Sequence, residues 1–331
     1  MKFTIENQFN VEKIRKPFRF CIKNYGCQMN ENKSEQIKIH FLSLGYLYDE
    51  IDYDLVIFNT CCIRDTAEQK IMSHIAVEKQ KNKKILISGC LSQKLKNRFE
   101  IFNINNLLTK NKFIDITYGC DNHCSYCIVP SVRGHLRIRG EEEILREFVY
   151  KIRFNKRIVL LGQNVNEYPD FHKLLQKLCS IDGDFTVNFL SSHPKDFTDD
   201  LIRTIAVNKK IEKDLHLPLQ SGCDRILELM NRKYTVAHYE MLINKLRRLV
   251  PDIHITTDII CGFPTETEED FNETIAVVKR IKFDACYIFP YSIRSGTRAA
   301  AMPQIPFSTR KARATKLINL MRKEKKQLSN N

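Results

Sequence analysis

Three cysteines stand within one short run, YGCDNHCSYC, at Cys120, Cys124 and Cys127. In a four-iron cluster each iron takes one ligand besides the bridging sulfides. Three thiolates from one loop therefore hold such a cluster and leave its fourth iron open, much as a catalytic metal keeps an open coordination position. The Cys-x3-Cys-x2-Cys spacing predicts a [4Fe-4S] cluster that binds a small molecule at the open iron.

Two other metal sites are weaker explanations of the same triplet. A zinc site needs a fourth ligand, and His123 is available, but its ring stands between two ligand positions and would crowd the metal. A ferredoxin-like electron carrier needs a fourth cysteine nearby, and the next cysteine after the triplet is Cys179.

A second set of cysteines, Cys27, Cys61 and Cys90, follows three strand-like segments near the N-terminus. In an open parallel α/β sheet the carboxyl ends of the strands line one crevice, where ligands bind. We therefore expect these three thiols to converge. The alternative is that they are buried cysteines that act as small apolar side chains.

The elements that must position both sets alternate between strands and helices. The N-terminal part contains predicted strands at 18–23, 55–58 and 85–88 and predicted helices at 31–44 and 65–80. Later strands are predicted at 113–117, 157–161, 186–190, 214–217, 253–260 and 285–289. Helical patterns lie between them at 141–154, 171–178, 198–207, 224–230 with 236–249, and 268–281.

These patterns predict an α/β protein of two domains and a tail. Residues 1–105 are expected to form a Rossmann-like parallel α/β domain, and residues 106–305 a partial (β/α)6 barrel, in which functional groups follow the strands. The polar stretch 95–112 is the expected connection, and residues 306–331 form a short basic helix and tail. The Cys120 triplet then lies on the first loop of the barrel.

The composition favours a polyanionic partner. The formal net charge is +14, which points first to nucleic acid, although a base-composition bias that enriches lysine explains part of it. No apolar run reaches about 18 residues and no secretory signal is visible, so we expect a cytoplasmic protein without a membrane span. Clustered cysteines are then ligands or catalytic groups rather than disulfides.

The predicted terminal helix, 309–327, combines an apolar stripe with many basic residues. Ala314, Leu317, Ile318 and Met321 recur at helical spacing. Its charge of +7 comes from eight basic residues against Glu324: Arg310, Lys311, Arg313, Lys316, Arg322, Lys323, Lys325 and Lys326. This pattern fits either an ordinary solvated surface helix or a nucleic-acid contact.

Several longer runs carry a family resemblance. The runs GCDNHCSYCIVPSVRG, LLGQNVNEY, FLSSHP, LHLPLQSGCDRIL and GFPTETEEDF resemble the methylthiotransferase branch of the radical S-adenosylmethionine superfamily. The runs NYGCQMN, NTCCIR and SGC match the N-terminal domain of that branch. GCQMN in particular resembles the tRNA-2-methylthio-N6-dimethylallyladenosine synthases, and the match extends from about residue 20 to about residue 313.

This resemblance implies two [4Fe-4S] clusters and S-adenosylmethionine as cofactors. The open iron of the Cys120/Cys124/Cys127 cluster would bind S-adenosylmethionine, whose reductive cleavage yields a 5′-deoxyadenosyl radical. Cys27, Cys61 and Cys90 would hold the second cluster, which supplies sulfur, with Cys62 as a spare beside Cys61. Cys62 stands where the family pattern has serine.

The resemblance also implies a reaction and its partners. The methylthio group would join C2 of N6-dimethylallyladenosine at position 37 of tRNA, next to the anticodon. The expected partners are a tRNA anticodon stem-loop and an electron donor such as flavodoxin or ferredoxin, and the expected state is a monomer. Alternative targets are threonylcarbamoyl-adenosine in tRNA or an aspartate of a ribosomal protein. A degenerate iron–sulfur RNA-binding protein without catalysis is an alternative of another class.

Polar residues that follow the predicted barrel strands are expected to face the S-adenosylmethionine pocket. These residues are Gln163, Asn164, Ser192, His193, Gln220, Ser221 and Gly262. Gly262 would let the backbone approach the ligand. Arg232 and Arg133 are expected to pair with the methionyl carboxylate or with tRNA phosphate.

The sequence departs from the family pattern at its C-terminal side. The family usually carries a small β-barrel that helps to bind RNA, and this sequence ends at Asn331, just past the basic helix. The run YSIRSGTRA lacks prolines that the family often shows there, and Lys33 stands where an acidic residue is common. These differences bear on RNA binding more than on radical chemistry.

Overall fold

The computed structural model describes residues 18–61, 65–90, 98–99, 101–102 and 107–328. The chain divides after Asn111 into two compact units, residues 1–111 and 112–331. Among the described residues, no helix has both the length and the hydrophobicity needed to cross a membrane.

The first unit is a parallel four-stranded sheet with a helix on each face. Its strands lie in the spatial order β2, β1, β3, β4. The elements, in chain order, are β1 (Arg19–Asn24), α1 (Gln28–Ser43), β2 (Leu47–Tyr48), β3 (Leu55–Thr60), α2 (Asp65–Gln80) and β4 (Lys84–Gly89). All six residues of β3 are buried, as expected for a central strand that is covered on both faces.

Alternate residues of β3 separate the core of this unit into two layers. Leu55 and Ile57 pack in the layer that contains Ile37 of α1. Val56 and Phe58 pack in the layer on the other face, with Ile71 and Ile75 of α2. The alternation follows from the period of two along a strand, because successive side chains point to opposite faces.

The strand register brings the carboxyl ends of β1, β3 and β4 to one edge of this sheet. Asn24 pairs with Asn59, and Thr60 pairs with Gly89. The residues that follow these three ends therefore leave the sheet side by side.

The second unit contains six parallel strands, a small antiparallel hairpin and eight α-helices within its described residues. Its first half comprises β5 (Phe113–Asp115), β6 (Thr117–Tyr118), α3 (Val129–Arg133), β7 (Arg137–Ile138), α4 (Glu141–Lys151), β8 (Arg157–Leu161), α5 (Phe171–Ser180) and β9 (Thr186–Phe189). Its second half comprises α6 (Asp199–Val207), β10 (Asp214–His216), α7 (Asp224–Leu229), α8 (Val236–Leu249), β11 (His254–Cys261), α9 (Glu268–Ile281), β12 (Ala285–Pro290) and α10 (Phe307–Leu328).

The six parallel strands form an open barrel wall in chain order. Parallel ladders join β5, β8 and β9 and, separately, β10, β11 and β12. A bridge between Val187 and Ile211 connects the two ladders. The pairings between described residues include none that joins β5 to β12, so the barrel is incomplete. The predicted fold class, a Rossmann-like parallel domain followed by a partial barrel, is confirmed.

Local caps explain why two predicted helices have the bounds that the pattern indicates. Thr235 caps α8 by accepting a hydrogen bond from the backbone N–H of His238. Thr267 and Asp270 form a reciprocal capping box at the start of α9. These side chains satisfy backbone donors that have no partner within the helix.

The first strand of the barrel and the loop that follows it differ from the prediction. The strand predicted at 113–117 is split into β5 and β6, because β6 pairs with β7 in antiparallel register, Thr117 with Ile138 and Tyr118 with Arg137. The short helix α3 was not predicted, although Pro130 in its first turn is a typical start signal. The loop that carries the cysteine triplet therefore lies inside a β-hairpin.

The terminal helix α10 is partly buried on its basic side, which corrects one prediction. Its apolar residues Ala314, Leu317 and Met321 are buried as expected. Arg310 and Arg313 were counted among the basic groups of its solvated or nucleic-acid-binding side, and this is wrong, because both are 8% exposed. Their partners lie on the loops after β11 and β12, which the helical pattern alone does not show.

Candidate functional site

The loop between β6 and β7 places the three cysteines of the triplet at the start of the barrel. The backbone N–H of Cys120 donates to the carbonyl of Gly134 at 3.3 Å, which closes the base of the loop. The N–H of Asn122 donates to Cys120 Sγ at 3.4 Å, and the N–H of Cys127 donates to the carbonyl of Cys124 at 3.0 Å. The loop thus turns twice and keeps all three thiols on one short segment.

The three thiols lie near enough to act on one another electrostatically. Burial raises the pKa of the Cys127 thiol to about 12, and negative charge on Cys124 and Cys120 acts in the same direction. Burial also raises the pKa of Cys120. A bound metal removes such protons outright.

The donor set fits a cluster better than a single ion. Among the described residues, no group of three His, Cys, Asp or Glu side chains converges as the ligands of one metal ion. A four-iron cluster does not require that convergence, because each thiolate binds a different iron. Three thiols on one loop match this requirement.

Four consecutive residues, 229–232, at the C-terminal end of α7 hold the cysteine loop. Ser125 donates from its N–H to the carbonyl of Met230 at 3.0 Å and from its hydroxyl to the carbonyl of Leu229 at 2.7 Å. The side-chain amide of Asn231 donates to the carbonyl of His123 at 2.8 Å. The segment that ends α7 therefore fixes the middle of the triplet loop.

The fourth residue of that segment, Arg232, is directed at a cysteine ligand position. Its Nη1 lies 3.4 Å from Cys124 Sγ and 3.3 Å from the hydroxyl of Tyr126. Its Nε donates to the hydroxyl of Tyr234 at 3.0 Å, and its Nη2 donates to the carbonyl of Pro218 at 3.3 Å. The sequence singled out Arg232 for a carboxylate or a phosphate, whereas within the described protein it contacts a thiol and two phenols.

Asn164 is joined to the cysteine loop through Glu167. Its side-chain amide donates to Glu167 at 3.0 Å and to Asp196 at 2.8 Å. Asn122 in the triplet loop donates to the same Glu167 carboxylate at 3.3 Å. Burial raises the pKa of Glu167. Sequence reasoning missed Glu167, although it lies within the LLGQNVNEY run.

Two buried oxygens near these residues fit a polar ligand. Asn164 Oδ1 and Ser192 Oγ are buried and form no hydrogen bond with any described residue. Buried polar atoms are nearly always paired, so a ligand rich in donors such as S-adenosylmethionine is compatible with these positions.

His193 is buried and neutral. Burial and the charge of Arg232 lower its pKa to about 2. Its Nδ1 accepts a hydrogen bond from the N–H of Lys195 at 3.2 Å, and its backbone N–H donates to Asn166 at 2.8 Å. Its ring meets that of Tyr234 edge to face, with 5.7 Å between the centroids. It therefore joins the group around Arg232.

Other predicted pocket residues are less directly placed. Gln163 and Arg133 are half-buried. Gln220 is held in the left-handed region (φ 71°), where its N–H donates to the carbonyl of Asp258 at 2.8 Å. The hydroxyl of Ser221 lies 3.3 Å from that of Thr274 on α9 and accepts the N–H of Cys223 at 3.2 Å, so its hydrogen bonds are made to the helix layer and within its own loop.

Gly262 lies against the terminal helix. Its φ is +72°, and an added Cβ would come within 2.8 Å of Arg310 Cβ. The absence of a side chain here allows α10 to approach the barrel closely, which the structure shows, whereas the sequence suggested a close approach to a ligand.

The second cysteine set lies at the edge of the first unit where β1, β3 and β4 end. Cys27 is the N-cap residue of α1, Cys61 directly follows β3, and Cys90 directly follows β4. The hydroxyl of Thr60 donates to the carbonyls of Ser88 at 3.0 Å and Cys90 at 2.8 Å. Cys61 is 9% and Cys90 1% exposed. Cys62 lies outside the described residues.

Two asparagines brace this edge. Asn30 donates from its amide to Asn59 Oδ1 at 3.2 Å and to the carbonyl of Thr60 at 2.6 Å. Asn59 donates in return to the carbonyl of Asn30 at 2.6 Å and to the hydroxyl of Ser34 at 2.8 Å. Sequence reasoning did not assign them a role, although they lie in the GCQMN and NTC runs.

The two units match different protein families. Residues 114–278 match the Radical SAM superfamily, and residues 19–109 match a family described as uncharacterized protein family UPF0004. The tRNA-2-methylthio-N(6)-dimethylallyladenosine synthase of Fusobacterium nucleatum is 41% identical in an alignment that covers 91% of this chain and 83% of that enzyme. The chain belongs to the tRNA-2-methylthio-N6-dimethylallyladenosine synthase family.

Two further relatives support the assignment of this chain to the synthase family. The enzymes of this name from Caldicellulosiruptor saccharolyticus and Acetivibrio thermocellus are 39% and 37% identical, over 91% and 94% of this chain and 77% and 78% of those enzymes. The family resemblance found in the sequence is confirmed, and the protein is a radical S-adenosylmethionine tRNA methylthiotransferase. A [4Fe-4S] cluster and S-adenosylmethionine are the cofactors of the superfamily.

Two solved structures have a fold similar to that of this chain. The radical S-adenosylmethionine methyltransferase TsrM from Kitasatospora setae has a TM-score of 0.60 at 9% identity, over 86% of this chain and 77% of that chain. The coproporphyrinogen III oxidase of Escherichia coli has a TM-score of 0.50 at 16% identity, over 64% and 52%.

Proposed function

We propose that this chain transfers a methylthio group to C2 of N6-dimethylallyladenosine at position 37 of tRNA. The observation that carries the proposal is the presence of two cysteine triplets, each gathered at one loop or one sheet edge, in a member of the synthase family. One triplet suffices for a radical cluster, and the second matches a need for inserted sulfur.

Cys120, Cys124 and Cys127 hold the radical cluster in this proposal. When bound there, the cluster supplies the electron that cleaves S-adenosylmethionine to a 5′-deoxyadenosyl radical. A radical is needed because an aryl C–H bond has neither the acidity nor the leaving group that polar chemistry requires. In this proposal Asn164, Ser192, His193, Gln163 and Gln220 line the S-adenosylmethionine pocket, and Arg133 pairs with the methionyl carboxylate or with tRNA phosphate.

Cys27, Cys61 and Cys90 hold a second [4Fe-4S] cluster that carries the sulfur. The register of β1, β3 and β4 and the Asn30–Asn59 brace support this assignment, because they keep three thiols at one edge. A second S-adenosylmethionine provides the methyl group. In this proposal residues 1–105 form the sulfur-supplying domain, and residues 106–305 the radical domain.

The substrate is a tRNA anticodon stem-loop. A base in a single-stranded loop can leave its stack at a cost of a few kcal/mol. The target adenosine must leave its stack in this way to reach a buried cluster. The net charge of +14 supports phosphate contacts. We further propose a flavodoxin or ferredoxin as the electron donor and a monomeric enzyme in the cytoplasm.

Mass analysis of tRNA nucleosides tests the substrate. Cells with and without the gene are compared, and we expect 2-methylthio-N6-dimethylallyladenosine to appear with the gene. An unchanged level of this nucleoside, or 2-methylthio-threonylcarbamoyl-adenosine in its place, would refute the assignment.

Two sets of variants separate the cluster roles. Cys124→Ala is expected to abolish release of 5′-deoxyadenosine, whereas Cys223→Ala, a buried cysteine outside both triplets, is expected to retain it. The reconstituted chain is expected to bind about eight irons, and the Cys27→Ala/Cys61→Ala/Cys90→Ala variant about four. Binding of about four by the unsubstituted chain would contradict the second cluster.

A further inference from the structure

Arg232 is a buried cation without an acidic partner. Its side chain is 5% exposed, and among the described residues no aspartate or glutamate forms an ion pair with it. Its partners are the thiol of Cys124, the hydroxyls of Tyr126 and Tyr234, and the carbonyl of Pro218. Burying an unpaired charge is strongly unfavourable, so a nearby anion is expected in the working protein.

The backbone around Arg232 is held in an uncommon conformation. Asn231 and Lys233, on either side of it, have φ values of 58° and 60°, in the left-handed region that non-glycine residues rarely adopt. Asn231 is tied to the carbonyl of His123 in the triplet loop. Such conformations persist where the surrounding structure imposes them, and here they direct one side chain inward at Cys124 and leave Lys233 exposed.

We propose that Arg232 is a positioning residue that serves as the counter-ion of the Cys124 thiolate and raises the reduction potential of the cluster bound there. The inference rests on the proposed cluster assignment. Metal binding converts Cys124 into a thiolate, which places an anion 3.4 Å from the guanidinium.

The sign of the effect follows from charge. Reduction adds a negative charge to the cluster, and a nearby cation with an N–H···S hydrogen bond stabilises that charge. Removal of the cation therefore favours the oxidised cluster and shifts the midpoint potential to a more negative value. A tenfold change in this preference corresponds to about 59 mV for a one-electron couple.

The test is an electron paramagnetic resonance redox titration without S-adenosylmethionine. The full-length Cys27→Ala/Cys61→Ala/Cys90→Ala chain serves as the background, so that the signal comes from one cluster. Arg232→Gln removes the charge and Arg232→Lys retains it without the guanidinium fork. Lys233→Gln is the matched control, because it removes the same charge one residue away, at an exposed position.

We expect Arg232→Gln to lower the midpoint potential by about 59 mV or more, which corresponds to at least a tenfold change in the preference for the oxidised cluster. Arg232→Lys should lie between Arg232→Gln and the background, and Lys233→Gln should match the background. If Arg232→Gln does not retain its cluster, Arg232→Lys tests the inference in its place. A midpoint potential below that of the background supports the inference, and an unchanged potential contradicts it.

Three results would overturn the inference. One is an unchanged potential in both Arg232 variants. Another is an equal shift in Lys233→Gln, which would show a general charge effect. The third is a loss of S-adenosylmethionine affinity in Arg232→Gln at an unchanged cluster potential, which would make the methionyl carboxylate the counter-ion. Failure of the background chain to bind any cluster would instead refute the proposed function.

Discussion

The guanidinium of Arg313 donates a hydrogen bond of 2.9 Å to the carboxylate of Glu266, and both side chains are buried. Glu266 also accepts the N–H of Gly262 at 2.7 Å. This ion pair joins α10 to the loop that follows β11. The terminal helix is therefore held by a buried polar contact as well as by its apolar stripe.

Loss of Arg313 is expected to destabilise the second unit. Arg313→Met leaves Glu266 buried without its ionic partner, and breaking a buried pair in this way costs about 3 kcal/mol or more in the free energy of unfolding. Lys311→Met on the exposed side of the same helix should change it by less than about 0.5 kcal/mol. Urea denaturation measures both, and equal effects would contradict the role of the pair.

The same carboxylate predicts a pH dependence of stability. Burial raises the pKa of Glu266 from 4.5 to about 7, so between these values the folded chain binds a proton that the unfolded chain has released. The contribution of Glu266 to the free energy of unfolding therefore falls as pH rises from 4.5 to 7. Glu266→Gln should remove this contribution, so thermal unfolding of the two chains at pH 5 and pH 7.5 should show a smaller decline for the variant. A parallel decline would argue against it.

Gly262→Ala tests the close approach of α10. The added Cβ would lie 2.8 Å from Arg310 Cβ, and φ is +72°, so strain and overlap add. We expect a loss of about 2–4 kcal/mol in the free energy of unfolding. Gly296→Ala is the control, because its φ is +84° but its Cβ would meet nothing within 4 Å. An equal loss in both variants would mean that backbone strain alone acts at Gly262.

Asn59→Ala is expected to impair the second cluster. It removes the donor to Asn30 and Ser34 and the acceptor for Asn30, so the edge that carries Cys61 loses its brace. Iron per reconstituted chain should fall from about eight toward about four. Asn24→Ala, at the exposed register partner of Asn59, should retain about eight. Full iron content in Asn59→Ala would remove Asn59 from the site.

Much of the local structure was predictable, because caps and periodicity are local signals. The helices predicted at 236–249 and 268–281 correspond to Val236–Leu249 and Glu268–Ile281, each preceded by a threonine cap. The strand predicted at 113–117 was wrong in part, because pairing with Arg137–Ile138 draws its end into a hairpin. That pairing depends on a partner about 20 residues away, which a local pattern does not contain.

The orientation of single side chains was less predictable. Arg310 and Arg313 belong to a basic helix by sequence, but contacts with Tyr291 and Glu266 bury them. The sequence predicts a carboxylate or phosphate partner for Arg232, and only the contacts of residues 229–231 with the cysteine loop direct it at Cys124.

The sequence by itself determined the radical triplet, because a spacing of a few residues within one loop limits how far apart its thiols can lie. It determined the family as well, through runs that extend along most of the chain. The sequence placed Cys27, Cys61 and Cys90 after three strands, and the tertiary structure decided that these strands end at one edge, since segments far apart in sequence meet only through the register of a parallel sheet. It also decided which cation faces Cys124, because that contact joins residues 108 positions apart.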